Sequence, residues 1–169
     1  MILKNIRHSQ IPEQNLRVIK PSIDSFNNIK CIADIAALMN NPVDILILAL
    51  PAKTTVAMIK QLCLQGTGAH AVYIVAGGIG DSADTIGLGE ELNNLIKTQR
   101  NNGLWCPAII GPNGLGMINA PLKLNTLFIP QEKLNVQFCD KAEVALVSQS
   151  GAFLITRLSR DNSLKLKYG

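Results

Sequence analysis

The sequence predicts an α/β protein built on a doubly wound parallel sheet, and three observations support this fold class. Strand-length apolar runs alternate with helix-length amphipathic segments along most of the 169 residues. The run VDILILAL, residues 43–50, is almost continuously apolar, which is typical of a strand covered on both faces in a parallel sheet. Short loops containing glycine and proline join these segments, as strand–helix–strand units require.

The first half of the chain predicts a strand–helix unit preceded by shorter elements. Residues 1–6 indicate the last turns of a helix, residues 16–19 a short buried strand, and residues 34–39 a short helical stretch. The strand at 43–50 is followed by a helix over residues 53–65. Its apolar side chains are spaced for one helix face: Val56, Ile59, Leu62 and Cys63.

The second half repeats the unit and then changes character. A strand at 71–76 leads through a glycine turn into a helix that runs to about residue 100, and a short strand follows at 108–110. Residues 124–129 indicate one more strand, expected to be antiparallel at an edge. Residues 144–160 form a last strand and helix, which cannot bury both faces alone. We therefore expect domain boundaries at 1–130, a linker at 131–141 and the start of a second domain at 142–169, with the chain cut at both ends.

Composition excludes several classes of function. The net charge of +4 is scattered and aromatic residues make up 4%, so no basic stripe with stacking rings marks a nucleic-acid surface. No apolar run reaches the length of a membrane span, and the start lacks a signal peptide, so a cytoplasmic protein is expected. The 4 cysteines show no metal-ligand spacing. We expect reduced, mostly buried thiols and no metal site.

Five loops follow predicted strands and should share one edge of the sheet, where ligands bind in such folds. The first four, at residues 19–22, 50–53, 76–79 and 111–114, are expected to line one ligand crevice. The glycines would let a ligand approach the main chain, and free amides at the helix start near Lys53 would favour an anion.

The fifth loop, Ser148-Gln149-Ser150-Gly151, predicts a helix start that binds phosphate or another anion. Ser150 is expected to be the N-cap. It lacks the G-x-S-x-G context and the Asp–His partners of a hydrolase nucleophile. We assign no catalytic residue, because His8 and His70 suit structural or surface roles. The absence of G-x-G-x-x-G makes an NAD-type dehydrogenase the weakest alternative.

Five motifs in fixed order identify a family. They are PVDILILALPAKTTVAMIKQL, ELNNLIKTQRNNG, IIGPNGLGMIN, LNTLFIP and VALVSQSGAF. In order and spacing the chain resembles the NDP-forming acyl-CoA synthetases, including the ADP-forming acetyl-CoA synthetases, and more distantly the α subunit of succinyl-CoA synthetase. The resemblance covers residues 16–169. It implies a Rossmann-like CoA-binding domain, without its first strand and glycine loop, followed by the first β–α unit of a flavodoxin-like ligase domain.

The resemblance also implies a mechanism, partners and site residues. In such an acid–thiol ligase the acyl group passes between coenzyme A and an acyl phosphate, and a phosphohistidine carries the phosphoryl group to ADP or GDP. An ATP-grasp subunit or domain is the implied partner, and a homo-oligomer is a further expectation. The implied coenzyme A contacts are Pro21, Pro51, Ala52, Lys53, Gly77, Gly78, Ile79 and Asn113. Ser150, Gly151 and Ala152 would hold the phosphate.

Some positions depart from the family pattern. Gly114 stands where the family usually has cysteine, and the acidic residue expected at the glycine turn is absent, with Asp81 as a substitute. The phosphorylated histidine would lie beyond residue 169, and neither His8 nor His70 aligns with it. The expected activity is therefore incomplete in this chain alone. A non-catalytic CoA- or nucleotide-binding or interaction module that lost the chemistry stays the main alternative.

Overall fold

The computed structural model describes residues 1–160 and 164–169, and these divide into two compact units. One unit comprises Arg17–Gly114, and the other combines Met1–Leu16 with Leu115–Gly169. This division follows contacts in space and does not coincide with the boundaries at 1–130, 131–141 and 142–169. Those boundaries concern the family's domains and stay a prediction.

In the described residues the elements follow one another in the order α1 (Ile2–Ile6), β1 (Val18–Ile19), β2 (Ser25–Phe26), β3 (Ile29–Ile32), β4 (Val43–Leu48), α2 (Ala52–Gln65), β5 (Ala69–Ile74), α3 (Ile86–Asn101), β6 (Ala108–Ile110), β7 (Ile118–Asn119), β8 (Leu124–Asn125), β9 (Val144–Ala145), α4 (Gly151–Arg160) and β10 (Leu166–Tyr168). Short 3₁₀ turns occur at Glu13–Asn15, Ile35–Leu38 and Ala83–Thr85. The helix expected at residues 34–39 is thus one of these turns. None of the described helices is both long and apolar enough to cross a membrane.

The unit 17–114 is built on the parallel sheet β4–β5–β6, which confirms the α/β fold class. The central strand β5 pairs with β4 in the register Ile45↔Ala71 and with β6 in the register Val72↔Ile109. Helices α2 and α3 connect consecutive strands of this sheet. The predicted apolar face of α2 is the buried one, and it packs in one core with β5.

Strand β4 lies at an edge of this sheet, and its first half differs from the prediction. The continuous apolar run predicted a strand covered on both faces, yet Ile45 is 43% exposed. Leu46 and Leu48, further along the strand, are buried. The buried central strand is instead β5, whose Val72 and Ile74 are fully inaccessible to solvent.

A second sheet of the same unit contains β1, β3 and β2. The sequence placed β1 in the doubly wound sheet, but β1 pairs in parallel with β3 instead, in the register Val18↔Cys31. Strands β2 and β3 form an antiparallel hairpin through Asn27 and Asn28, which have φ values of 52° and 64°. Two consecutive left-handed residues are the geometry that closes a tight hairpin, and asparagine tolerates it.

The other unit has its own core and a sheet in the order β8–β7–β10–β9. Strand β8 is antiparallel to β7 at one edge, as expected, but it covers only Leu124–Asn125 of the predicted 124–129 and lies in this sheet rather than in the parallel one. Strand β9 lies at the opposite edge beside β10. The residues expected to form a linker contribute to this core, since Leu134 and Val136 are buried within it. Helix α1 is fixed to the same unit by Asn5, whose Nδ2 donates to the Leu127 and Ile129 carbonyls at 2.8 and 3.1 Å.

Candidate functional site

The carboxyl ends of β4, β5 and β6 bring three of the predicted loops together. The loop after β6 lies against the loop after β5, because the amide of Asn113 donates to the carbonyl of Ala76 at 2.9 Å. The neighbouring amide of Gly114 donates to the carbonyl of Ile74 at 3.0 Å. Backbone bonds therefore hold Asn113 beside the glycine turn that follows β5.

The glycine turn also touches the start of α2. A Cβ placed on Gly77 would lie 3.6 Å from Asn113 Oδ1, and one placed on Gly78 would lie 3.6 Å from the Ala52 Cβ. Gly78 has φ 80°, a left-handed conformation that glycine adopts without strain. We call the group formed by Ala52, Gly77, Gly78 and Asn113 the glycine-turn site. Four of the predicted coenzyme A contacts meet there.

The start of α2 presents backbone donors to the glycine-turn site. Pro51 precedes the first residue of the helix, and no side chain caps this end. The first intrahelical bond runs from the Thr55 amide to the Pro51 carbonyl at 2.9 Å. The amides of the three residues before Thr55 have no hydrogen-bond partner in the described part of the chain. Together with the helix dipole and the exposed Lys53, they make this end attractive to an anion.

Asp81 adds a negative charge on the other side of the turn. Its Oδ2 accepts from the Gly78 amide at 2.8 Å, and its Oδ1 accepts from the Thr85 hydroxyl at 3.1 Å. The Gly78 bond is the main reason that the pKa of Asp81 lies below its usual value, so the side chain is a carboxylate at neutral pH. The Oδ2 atom would lie 3.2 Å from a Cβ at Gly77. The space beside Gly77 is thus occupied by the Asp81 carboxylate.

Two other predicted coenzyme A contacts of this unit, Ile79 and Pro21, lie outside the group of residues that forms the glycine-turn site. Ile79 is only 4% exposed and its side chain belongs to the core, which leaves its main chain as the part that can face a ligand. Pro21 follows β1, in the other sheet of the unit. Among the described residues, no hydrogen bond joins Pro21 to the glycine-turn site. The expectation that four loops follow strands of one sheet therefore holds for three of them.

The departure at Gly114 has a structural partner that sequence reasoning did not find. A Cβ on Gly114 would overlap the side chain of Tyr73, which is buried on β5. The tyrosine ring thus fills the space that a cysteine side chain at position 114 would need. The two positions are 41 residues apart in the chain, and neither of them carries a recognisable motif for this contact.

The predicted phosphate site lies in the other unit, at the start of α4. Ser150 is the N-cap there, since its Oγ accepts from the Phe153 amide at 3.3 Å. The Ser150 amide in turn donates to the Ser148 Oγ at 3.2 Å. Among the residues described, nothing accepts a hydrogen bond from the amides of Gly151 and Ala152. This exposed helix start therefore keeps two free donors beside its capping serine.

Comparison with known proteins confirms the resemblance indicated by the motifs. No protein-family model matches the chain. The chain is 34% identical over 114 residues to the α subunit of acetate–CoA ligase [ADP-forming] I of Pyrococcus furiosus, covering 65% of this chain and 21% of that protein. It is 27% identical over 157 residues to acetate–CoA ligase [ADP-forming] I of Archaeoglobus fulgidus, covering 93% of this chain and 20% of that protein.

Solved structures show the same fold. The apo form of dinucleotide-forming acetyl-coenzyme A synthetase 1 of Ca. Korarchaeum cryptofilum matches with a TM-score of 0.71 and 20% identity, over 99% of this chain and 33% of that one. Its complex with phosphate and ADP matches with a TM-score of 0.70. The chain is thus homologous to part of the ADP-forming acetate–CoA ligases. It spans about a fifth of the length of the curated relatives.

Proposed function

We propose that this chain is the coenzyme A-binding part of an NDP-forming acyl-CoA synthetase. The complete reaction would convert acyl-CoA, NDP and phosphate into the acid, NTP and coenzyme A. The observation that carries the proposal is the meeting of Ala52, Gly77, Gly78 and Asn113 at the carboxyl edge of a parallel sheet. Homology to the α subunits of ADP-forming acetate–CoA ligases supports the same role.

The groups at the glycine-turn site fit the chemistry of coenzyme A. The uncapped amides of α2 and Lys53 suit the phosphates of the ligand, which need donors and positive charge. Asn113 and Asp81 provide polar atoms that suit hydroxyl and amide groups. The flat face of Pro51 offers apolar contact. In this arrangement the chain binds and orients coenzyme A, and the covalent chemistry belongs to groups elsewhere in a larger assembly.

We further propose that the start of α4 holds a phosphoryl group. The two free amides at Gly151 and Ala152 and the hydroxyl of Ser150 support this role, because an anion at a helix start accepts such donors and is favoured by the helix dipole. In the complete enzyme that phosphoryl group would be carried by a histidine. An ATP-grasp subunit or domain would be the partner that exchanges it with the nucleotide.

One observation favours a second candidate function. The Tyr73 side chain fills the space beside Gly114, so the chain has no side chain at the position where the family usually has cysteine. A module that binds coenzyme A or a nucleotide without taking part in the ligase reaction would tolerate this change. An assembly that supplies the ATP-grasp part and the phosphorylated histidine, and that binds coenzyme A through this chain without ligase activity, would distinguish this module from a working ligase part.

Calorimetric titration of the chain with coenzyme A and, separately, with NADH tests the main proposal. We expect a saturable signal with coenzyme A and none with NADH at the same concentrations. Binding of NADH alone would indicate a dehydrogenase-type domain and would contradict the proposal. Absence of binding by either ligand would also contradict a coenzyme A site formed by this chain.

A further inference from the structure

Two cysteines that are distant in the sequence meet in the unit 17–114. The Sγ atom of Cys63 lies 3.9 Å from the Sγ atom of Cys106, across a separation of 43 residues. Cys63 lies in the last turns of α2, and Cys106 lies just before β6. Neither position stands out in the sequence, because the spacing matches no metal or redox motif. The fold alone brings the two sulfurs together.

The two thiols are aligned as donor and acceptor. The Cys63 thiol donates a hydrogen bond to the sulfur of Cys106. The Cys106 thiol in turn donates to the carbonyl oxygen of Pro107 at 3.6 Å. Cys63 is 6% exposed, whereas Cys106 is partly exposed. An oxidant arriving from solvent therefore meets Cys106 first, and Cys63 stands behind it.

We propose that Cys63 and Cys106 form a thiol pair that a hydroperoxide converts into an intramolecular disulfide. In the first step the Cys106 sulfur attacks the peroxide, one oxygen is transferred, and the sulfenic acid and an alcohol or water form. In the second step the Cys63 sulfur attacks that sulfenic sulfur, the S–O bond breaks and water leaves. The two thiols together lose two electrons and two protons, and the hydroperoxide is reduced.

The burial of Cys63 disfavours its reaction in the first step, and its position beside Cys106 assigns it to the second. Burial raises the pKa of the Cys63 thiol to about 12, and the neighbouring Cys106 adds to the rise. Cys63 is therefore protonated at neutral pH and is a poor direct target for the oxidant. Its sulfur lies 3.9 Å from the Cys106 sulfur, within reach of a sulfenic acid formed there, and its proton leaves with the departing hydroxyl group as water when the S–S bond forms.

The pair lies away from the glycine-turn site. Cys63 is near the C-terminal end of α2, and Cys106 precedes the amino end of β6, whereas the glycine-turn site lies at the start of α2 and the carboxyl ends of the strands. The disulfide would close a loop that includes β5 and α3. We therefore expect it to stabilise this unit without occupying the ligand site, which makes the inference independent of the proposed function.

The other two cysteines provide matched controls within the same chain. Cys31 is buried on β3, where its thiol is 3.9 Å from the Ile29 carbonyl oxygen. Cys139 lies in the unit that combines residues 1–16 and 115–169. A general reactivity of the chain toward oxidants would modify these residues as well, whereas the proposed pair predicts a single pattern of cross-linking.

The test is oxidation of the chain with hydrogen peroxide, followed by mass measurement and peptide mapping without reductant. We expect the intact monomer to lose two hydrogen atoms, two of the 4 thiols to stay free, and one cross-linked peptide pair to contain Cys63 and Cys106. Thermal unfolding of the oxidised monomer should shift upward by roughly 5–10 °C and return on reduction. Cys31→Ser and Cys139→Ser should still cross-link, whereas Cys63→Ser and Cys106→Ser should not.

Several results would overturn the proposal. A cross-link that includes Cys31 or Cys139, or oxygen addition at Cys106 without a disulfide in the unsubstituted chain, would show that the two sulfurs do not react as a pair. Because these measurements use the natural sequence, they decide the matter even where a serine variant fails to fold. Circular dichroism of each variant identifies such a failure.

Discussion

The starts of α2 and α4 both have free backbone amides, but they differ in their capping and in the groups around them. The start of α4 is capped by its own Ser150, and two donors remain. The start of α2 has no side-chain cap, and it touches a glycine turn that carries the Asp81 carboxylate. The start of α2 therefore combines its own amides with the Asp81 carboxylate and Asn113 from two further loops, whereas the start of α4 offers only its own backbone amides and the Ser150 hydroxyl to an anion.

The largest expected effect comes from adding a side chain at Gly77. Gly77→Ala places a methyl group 3.2 Å from Asp81 Oδ2 and 3.6 Å from Asn113 Oδ1, so the Asp81 carboxylate and the Asn113 side chain must shift within the glycine-turn site. We expect coenzyme A affinity to fall about tenfold, or roughly 1.4 kcal/mol, as measured by calorimetry. Gly87→Ala is the matched control, because a Cβ there meets nothing within 4 Å. Equal affinity for both variants would place the ligand elsewhere.

The next largest effect concerns anion binding at the start of α4. Ser150→Asp keeps a residue type that caps helices well, but its carboxylate competes for the free amides and repels an anion. Phosphate affinity should fall about fivefold, near the upper range for a charge at a helix end, in a titration that follows the Gly151 amide by NMR. Ser159→Asp, in the last turn of the same helix, is the control. An unchanged phosphate affinity in Ser150→Asp would show that these amides bind no anion.

A smaller effect separates the two roles of Asp81. Asp81→Asn removes the negative charge but keeps an oxygen for the Gly78 amide, whereas Asp81→Ala removes both. For a ligand bound at the α2 amides, we expect coenzyme A affinity to rise about twofold in the first variant and to fall about threefold in the second. Calorimetry on both variants measures this split. Changes in the same direction would mean that only the charge or only the hydrogen bond matters.

Asp81 also predicts a direction for the dependence of stability on pH. Its pKa is lowered in the folded state, so its contribution to folding is present above the unfolded-state value of about 3.9. This contribution is lost as the pH falls through the lower folded-state pKa. Between about pH 5 and pH 3, the unfolding temperature of the natural chain should therefore approach that of Asp81→Asn. A gap that widens toward low pH would contradict the hydrogen-bonded carboxylate.

The smallest effect concerns Lys53 at the start of α2. Lys53→Ala removes an exposed charge beside the free amides and leaves the helix start otherwise intact. We expect coenzyme A affinity to fall about twofold, and the difference from the natural chain should vanish at high salt, since exposed charges are screened. Lys60→Ala, further along the same helix, controls for the change in net charge. A salt-independent loss would indicate a direct contact rather than a field effect.

The parts of the fold that the sequence predicted are those with strong local patterns. Residues 43–48 and 69–74 form long apolar runs, and the face of α2 repeats with helical period, so these elements were found close to their observed bounds. The hairpin of β2 and β3 and the strands β7 and β10 were missed. They are two to four residues long, and strands this short depend on pairing rather than on their own composition.

The site was predictable only in outline, for a related reason. The loops at 50–53, 76–79 and 111–114 follow strands, so their shared edge could be inferred from topology. The filling of the Gly114 position by Tyr73 and the meeting of Cys63 with Cys106 are contacts across tens of residues. Such contacts have no period or spacing that a single sequence displays, and they appear only once the chain is folded.

The most direct test of the coenzyme A site is a titration of the isotopically labelled chain with coenzyme A, followed residue by residue through its amide NMR signals. The glycine-turn site predicts saturable shifts that are largest at Ala52, Lys53, Gly78 and Asn113, with the Gly87 signal unmoved. Shifts that avoid these residues, or no shifts at a coenzyme A concentration that saturates calorimetry, would contradict the assignment of this edge of the sheet as the binding site.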